Sequence, residues 1–370
     1  MARHDRTTYK TRETDIHRGH VVKEWLGRLL GIAAGIAVAV TIAEGFVRMF
    51  FPHARDTVIP GHLFMIDDEL GWKFRPSRTS IHRTRYFAAE YVINASGFRD
   101  RSRPDPRSSR MRRILLYGDS VIFGWGVPQA DRFSDILERR IGGLEVWNHA
   151  VPGYGLDQEV LSYEREAESP LFDEVIFFVA MGTLKRIHSG YIYAKYKPVF
   201  SHASDGGLEL NPIPTGKNRG ISLLYEVLSP LYLPYFLQNQ LAILKETFAA
   251  VEPVEKRISG EPKYVDKLAK DILQRARGTT RRKNQRMSIL VGDISPADRK
   301  DLRDFCEQNN TDFLEIPLDI AVTSTTDDRM DLVQGRYDRH WNAKANGLIA
   351  DKLEQQIHGR LGPLVTRGSM

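Results

Sequence analysis

Three side chains in this sequence have the types needed for nucleophilic chemistry at an ester: Ser120, Asp338 and His340. A hydroxyl attacks an acyl carbon when a histidine takes its proton and a carboxylate orients that histidine. Ser120 follows Gly118 and Asp119 at the end of an apolar run, and one residue separates Asp338 from His340. Each motif is common by itself, because Gly-Asp-Ser is a frequent turn. Together they predict acyl chemistry at Ser120.

Apolar spacing predicts the elements that position these residues. A buried strand over 114–117 ends in the Gly-Asp-Ser turn, and further strands are predicted at 144–148, 175–180, 289–291 and 313–316. Predicted helices alternate with them at 133–141, 156–168, 296–309 and 342–357. This alternation predicts an α/β fold with three layers, in which helices cover both faces of a five-stranded parallel sheet. The turns after parallel strands meet at one sheet edge, so Ser120 and His340 are expected there.

The region from 187 to 286 interrupts the alternation and is too long for a plain loop. It is predicted to be a helical insertion that overhangs the crevice, with helices at 223–228, 238–251 and 265–277. Its aromatic residues are interpreted as packing of this cap; they are Tyr225, Tyr232, Tyr235 and Phe236. Residues 52–110 are interpreted as a lead-in and linker with one or two strands, and residues 111–360 as the domain that carries the site.

The amino-terminal part contains an apolar segment from Leu29 to Phe51, in which Glu44 and Arg48 are the charged residues. These 23 positions give about 34 Å of helix, which is enough for a hydrocarbon core of about 30 Å. A buried core helix and a cleaved signal peptide are the alternatives, although residues 1–28 are long for a signal. These residues contain seven Lys or Arg, so we predict a cytoplasmic tail, a single-pass transmembrane helix and an extracytoplasmic domain.

Composition excludes several other classes of protein. The chain has 370 residues, of which 42% are hydrophobic, so it can form a substantial core. Its net charge of +6 comes from 53 basic and 47 acidic residues in mixed clusters, which disfavours nucleic-acid binding. The single cysteine, Cys306, lies in a predicted helix and is interpreted as a packing residue.

Taken together, these motifs resemble the SGNH (GDSL) hydrolase superfamily, in particular its bacterial members with an amino-terminal membrane anchor. The similar stretches are 43–48, 93–100, 113–126, 148–155, 197–200 and 338–347. The resemblance implies a flavodoxin-like arrangement of the sheet and a location in the bacterial inner membrane with the domain in the periplasm. It also implies that no metal or organic cofactor is needed, because backbone dipoles stabilise the alkoxide.

The resemblance also implies a role for each site residue. Ser120 would be the nucleophile, His340 the general base and Asp338 the acid that orients His340. The backbone N–H groups of Ser120 and Gly153 would form part of the oxyanion hole. Asp119 is interpreted as a turn former beside the nucleophile.

The sequence departs from the superfamily pattern at two places. Members usually carry Asn-Asp after the third strand, the asparagine being a third oxyanion donor, but Met181 to Leu184 stands there instead. Removing one such donor costs about 10²–10³ in rate, so either Thr183 or Asn148 substitutes for it, or the protein is slow, or it no longer carries out this chemistry. The acid also lies two residues before His340, where many members place it three before, and Asp331 is the alternative acid.

The main functional hypothesis is an anchored esterase or acyltransferase that acts through an acyl-enzyme on an O-acetylated envelope or extracellular glycan, or on a small ester. Hydrolysis and transfer share that intermediate and differ only in the acceptor. Two alternatives stay open. A catalytically degenerate relative that binds glycan or serves as a scaffold is favoured by the missing asparagine, and a membrane-associated lipase is favoured by the anchor and the aromatic insertion.

Overall fold

The computed structural model describes most of the chain outside its termini and part of the insertion. The described residues are 6–54, 59, 61–103, 111–166, 172–193, 195–218, 228, 230–237, 240–241, 263–317, 320, 330–335, 338–358 and 360. The chain divides into two units, one formed by residues 1–55 and 230–250 and the other by residues 56–229 and 251–370. The larger unit contains Ser120, Asp338 and His340.

The larger unit begins with two antiparallel hairpins. Their strands are β1 (Phe64–Asp67), β2 (Gly71–Phe74), β3 (Arg78–Arg83) and β4 (Ala88–Ile93). We predicted one or two edge strands here, and the structure has four. The large aromatic side chains of Trp72, Phe74 and Tyr91 are buried in the main core, so this lead-in is part of the folded domain.

A five-stranded parallel sheet forms the centre of this unit. Its strands are β5 (Arg112–Tyr117), β6 (Leu144–Asn148), β7 (Glu174–Val179), then β12 (Arg286–Val291) and β13 (Asp312–Glu315). The spatial order is β13-β12-β7-β5-β6. The chain therefore goes from β5 to β6 on one side and then crosses to β7 on the other side of β5. The predicted five-stranded sheet is confirmed. Open α/β sheets bind ligands beyond the carboxyl ends of the strands at such a reversal, which here lies between β5 and β7.

Helices cover both faces of the sheet because side chains alternate along each strand. On one face Ile114, Leu116 and Phe178 join a core with the helices α3 (Phe133–Arg140) and α8 (Ala343–His358). On the other face Leu115, Tyr117 and Phe177 join a second core. The helices of that layer are α4 (Leu156–Glu166), α6 (Lys267–Arg282) and α7 (Pro296–Gln308). The predicted three-layer α/β/α class is confirmed.

Shorter elements connect this framework. They are the helices α2 (Ser120–Phe123) and α5 (Met181–Arg186) and the hairpins β8 (Tyr191–Ile192) with β9 (Lys195–Tyr196), β10 (Val199–His202) with β11 (Leu208–Asn211), and β14 (Val333–Gly335) with β15 (Asp338–Trp341). The helices predicted at 223–228 and 238–251 lie largely outside the described residues. The third helix predicted in the insertion is α6, which packs in the second core.

The smaller unit contains one long helix, α1 (Arg6–Phe50). Its portion Lys23–Phe50 is long and apolar enough to cross a membrane, a property that membrane anchors and amino-terminal signal sequences share.

Candidate active site

The nucleophile candidate lies on a sharp turn from strand to helix. Strand β5 ends at Tyr117, and Ser120 is the first residue of α2. A Cβ at Gly118 would lie 2.4 Å from Cγ1 of Ile122, so the residue at this turn must be glycine. The side chain of Asp119 accepts a hydrogen bond from the backbone N–H of Val121 at 3.1 Å and caps α2. The predicted turn-forming role of Asp119 matches this geometry.

The three predicted side chains meet in one hydrogen-bonded chain. Nε2 of His340 lies 2.8 Å from Oγ of Ser120, and Nδ1 of His340 lies 2.7 Å from Oδ1 of Asp338. With the imidazole proton on Nδ1, Asp338 is its acceptor and Nε2 is free to accept the Ser120 hydroxyl proton. This is the order needed to turn a serine hydroxyl into a nucleophile.

The second carboxylate oxygen of Asp338 is held by a residue that sequence reasoning did not assign to the site. Nε1 of Trp125 donates to Oδ2 of Asp338 at 3.0 Å, and the Trp125 ring stacks on His340 with centroids 4.6 Å apart. Burial by itself would raise the pKa of Asp338, but the hydrogen bonds and charge of His340 and the Trp125 bond outweigh it, so the pKa lies below its ordinary value. Asp338 is therefore ionised at neutral pH.

The acid and base are carried on the short strand β15, which pairs with β14 just before α8. The side chain of Asn342 closes this element, since its Oδ1 accepts the N–H of Ala345 and its Nδ2 donates to the carbonyl of Val333. The alternative acid, Asp331, has an exposed side chain that pairs with Lys344. The structure therefore brings Asp338, and not Asp331, onto the imidazole.

The loop after β6 carries Gly153, whose backbone N–H is predicted from the sequence to be an oxyanion donor. Gly153 has a φ of +85°, and a Cβ there would lie 2.9 Å from the ring of Tyr193 and 3.3 Å from the ring of Trp72. Trp72 holds this loop through a 3.1 Å bond from Nε1 to the carbonyl of Pro152. Among the described residues, no hydrogen bond uses the backbone N–H of Ser120 or of Gly153. Both amides are available to a ligand.

Neither residue expected to replace the missing asparagine is free to do so. The hydroxyl of Thr183 is buried and bonds the backbone of Ala180 and the carbonyl of Phe178. The amide of Asn148 donates to the carbonyl of Ile122 and to Ser134, while its oxygen accepts the N–H of Ala150. Both side chains therefore hold local backbone structure.

An arginine from the end of α5 occupies the space between the two donor loops. Nη1 of Arg186 donates to Oδ2 of Asp119 at 2.8 Å and to the carbonyl of Tyr154 at 2.9 Å. Its Nη2 would lie 3.3 Å from a Cβ at Gly182, so the guanidinium fills the space that a side chain at 182 would need. Burial opposes the charge of Arg186, but Asp119 outweighs it and raises the pKa. Arg186 thereby ties the turn of Ser120 to the loop of Gly153.

A second buried arginine, Arg99, holds the chain just after α2. Its Nη1 donates to the carbonyls of Phe123 and Gly124 at 3.1 and 2.7 Å. Its Nη2 donates to the carbonyls of Glu90 and Val127 at 3.1 and 2.7 Å. Burial and the neighbouring guanidinium of Arg132 lower the pKa of Arg99 to about 9. The lead-in motif at 93–100 therefore supports the turn that carries the nucleophile.

Within the described part of the chain, no group of three or more His, Cys, Asp or Glu side chains is arranged to hold a metal ion. The buried lysine of the stretch 197–200, Lys197, pairs with Asp157 at the start of α4. Burial raises the pKa of Asp157 and lowers that of Lys197. This pair anchors the segment between β9 and β10 to α4.

No protein-family model matches the chain, and no curated protein matches it in sequence. Among solved structures it is similar to a member of the lipolytic G-D-S-L family from Veillonella parvula, with 12% identity over 68% of this chain and 100% of that one and a TM-score of 0.38. It is similar to the psychrotrophic esterase EstA from Pseudoalteromonas sp., with 15% identity over 68% and 100% and a TM-score of 0.37. It is also similar to the acetyl xylan esterase AlAXEase, with 14% identity over 66% and 99% and a TM-score of 0.35.

Proposed function

We propose that the protein is a serine esterase or acyltransferase of the SGNH type. The observation that carries this proposal is the continuous chain from Ser120 to Asp338 through His340, with distances of 2.8 and 2.7 Å. His340 takes the hydroxyl proton as Ser120 Oγ attacks the acyl carbon, and the imidazolium is stabilised by ionised Asp338. The carbonyl oxygen becomes an oxyanion that accepts from the N–H groups of Ser120 and Gly153.

Collapse of this tetrahedral intermediate breaks the ester bond and leaves the acyl group on Ser120. The leaving alcohol takes the proton from His340. Water or a glycan hydroxyl then gives its proton to His340 and attacks the acyl carbon. The bond from that carbon to Ser120 Oγ breaks, His340 returns the proton to Oγ, and the product is the free acid or the transferred ester. The residues named here act in the same way in both cases.

We propose an acylated glycan, with a small acyl group such as acetyl, as the substrate class. Aromatic rings flank the Gly153 donor: Trp72 is buried against it, and Tyr193 packs on it with 59% of its surface exposed. Flat rings beside a polar reaction centre suit the apolar faces of sugar rings. We further propose that α1 is an uncleaved anchor in a bacterial inner membrane, with the amino terminus in the cytoplasm and the larger unit in the periplasm.

Fluorophosphonate labelling of the full chain in detergent tests the chemistry. We expect the parent to be labelled on Ser120, labelling to vanish in Ser120→Ala, and labelling to become very slow in His340→Ala. Ser134→Ala is the matched control, because Ser134 is buried and contacts Asn148. A correctly folded parent that is not labelled, or a Ser120→Ala variant that is labelled equally, would overturn the proposal and favour the binding-protein alternative.

Esters of p-nitrophenol with acyl chains of increasing length test the substrate class. A rate that is highest for acetate, together with release of acetate from an O-acetylated polysaccharide, supports the glycan proposal. A rate that increases toward long chains would favour the lipase alternative.

A further inference from the structure

The carboxyl-terminal end of α1 is covered by a segment that lies far from it in the sequence. Both oxygens of Glu44 accept the backbone N–H of Tyr232, at 2.9 and 3.0 Å, and Oε2 also accepts the N–H of Leu233 at 2.9 Å. One turn later, Nη2 of Arg48 donates to the carbonyl of Pro230 at 3.0 Å. These contacts lie within the smaller unit. They fix residues 230–237 on the end of the candidate membrane helix.

These contacts account for the carboxylate of Glu44 in the apolar part of α1. A charged group near the end of a membrane span is costly unless its hydrogen-bonding capacity is satisfied. Glu44 receives two backbone donors and also Nε of Arg48 at 2.6 Å, and only 12% of its side chain is exposed. Glu44 therefore acts as an acceptor for the start of the helical turn formed by residues 233–237.

The same region carries a collar of aromatic and cationic groups. The guanidinium of Arg48 lies over the Tyr232 ring at 4.9 Å. The rings of Phe51 and Phe236 have centroids 4.6 Å apart, as do those of Phe46 and Phe50. Aromatic rings and snorkelling arginines are enriched where membrane helices leave the hydrocarbon core. This collar is thus typical of a membrane interface.

Exposed apolar side chains continue from α1 onto this segment. On α1, Phe46, Met49 and Phe50 are each more than half exposed, and on the segment Leu237 and Leu241 are 51% and 59% exposed. Exposed leucines of this kind are unfavourable in water and favourable at the boundary between lipid headgroups and acyl chains. The surface is continuous with the part of α1 that a bilayer would surround.

We infer that residues 230–237, together with residues 240 and 241, form a second membrane-binding element, which lies in the interface of the bilayer leaflet where α1 ends, with Glu44 as the clasp that holds it there. The partner is the phospholipid bilayer itself. This inference rests on the proposed anchoring role of α1. It assigns the aromatic residues Tyr232 and Phe236 to a membrane collar, whereas the sequence suggested a cap over the crevice.

Depth measurements with spin labels test the inference on the full chain in vesicles of phosphatidylethanolamine and phosphatidylglycerol. Cysteines are introduced singly at Leu237, Leu241, Val38 in mid-α1 and Lys300 on α7. Cys306 is buried, so the unmodified chain is the labelling blank. The ratio of accessibility to O₂ over accessibility to a nickel chelate is expected to be several-fold higher at Leu237 and Leu241 than at Lys300, which is exposed to solvent.

Each outcome decides one statement. Val38 in lipid with Leu237 and Leu241 in water would overturn the second element and leave the anchor standing. Val38 in water would overturn the anchor, and the inference with it. In Glu44→Leu we expect Leu237 to shift toward water while Val38 is unchanged, whereas Glu44→Gln keeps an acceptor and shifts it less. An unchanged ratio at Leu237 in Glu44→Leu would overturn the clasp.

Discussion

The indole of Trp125 and the carboxylate of Asp338 are joined by a 3.0 Å hydrogen bond across 213 residues of sequence. The same indole stacks on the imidazole of His340. One aromatic side chain therefore fixes the direction of the acid and the plane of the base together. Each oxygen of Asp338 has one of these partners: Oδ1 accepts from His340, and Oδ2 accepts from Trp125.

Replacing Trp125 with Phe keeps a stacking ring and removes the donor. A hydrogen bond to a charged group contributes about 1.5–3 kcal/mol, so we expect kcat to fall roughly 10- to 100-fold. The control is Trp147→Phe, because the indole Nε1 of Trp147 donates to Glu145 on the edge strand β6, a bond that does not involve Asp338. Equal kcat in Trp125→Phe and the parent would mean that the Trp125 bond does not orient Asp338.

The effect of Trp125→Phe on thermal stability should depend on pH. The lowered pKa of Asp338 in the folded state stabilises the fold above its unfolded pKa of about 3.9, and this contribution is lost as pH falls through the folded value. Trp125→Phe removes one cause of the lowering. The difference in Tm between parent and variant should therefore be largest at neutral pH and shrink as the pH falls through the folded pKa values of Asp338. A Tm difference between parent and Trp125→Phe that increases at acidic pH would contradict this prediction.

Gly153→Ala keeps the backbone N–H of residue 153 but should move it out of position for an oxyanion. A left-handed backbone costs about 1–2 kcal/mol for a residue with a Cβ, and here the methyl group would also meet Tyr193 and Trp72. We expect the rate of fluorophosphonate labelling to fall about 10²-fold or more. Gly206→Ala is the control, because Gly206 has a φ of +82° with open space around it. Equal losses in both variants would assign the effect to backbone strain alone.

Arg186 is predicted to position the hole, since it joins the turn of Ser120 to the loop of Gly153. Arg186→Met should lower kcat by up to about 10², the cost of a small displacement of catalytic groups, with little change in KM. Arg186→Lys keeps the charge but cannot bridge the same acceptors, so it should restore kcat only in part. Lys185→Met, at the exposed neighbouring position, is the control. A change confined to KM would instead place Arg186 in substrate binding.

Arg99 is predicted to be a stability residue more than a catalytic one. Arg99→Met would remove one donor from each of four carbonyls, those of Phe123, Gly124 and Val127 being in buried residues, and the expected loss is about 3–5 kcal/mol. Thermal unfolding of the full chain in detergent measures it, with Arg139→Met as the control because Arg139 makes exposed contacts. A Tm equal to that of the parent would show that other groups satisfy these carbonyls.

The strands, the layer class and the three residues Ser120, Asp338 and His340 follow from local patterns. Apolar runs mark β5 to β7, and glycine with an acid and a hydroxyl marks the turn, so neither needs tertiary information. Trp125 and Arg186 could not be assigned in this way. Their roles arise from partners distant in the sequence, and nothing about a tryptophan near a glycine or an arginine in a short helix indicates such a partner.

The structure also explains why Thr183 was a poor choice for the missing donor. Thr183, four residues after the end of β7, satisfies the backbone at the start of α5, and this local use of a hydroxyl is common. The neighbouring position, Gly182, has no side chain, and the guanidinium of Arg186 lies against it.

Ser120 and His340 are 220 residues apart, and β15, which carries His340, is followed by α8, which packs on α3. During synthesis the nucleophile therefore emerges long before its base, and an unfinished chain holds an unactivated serine that is harmless to esters it meets. Catalytic competence arises only once the last layer closes. Turnover thus indicates that the domain has finished folding. The recovery of esterase activity during refolding would therefore measure when α8 packs on α3.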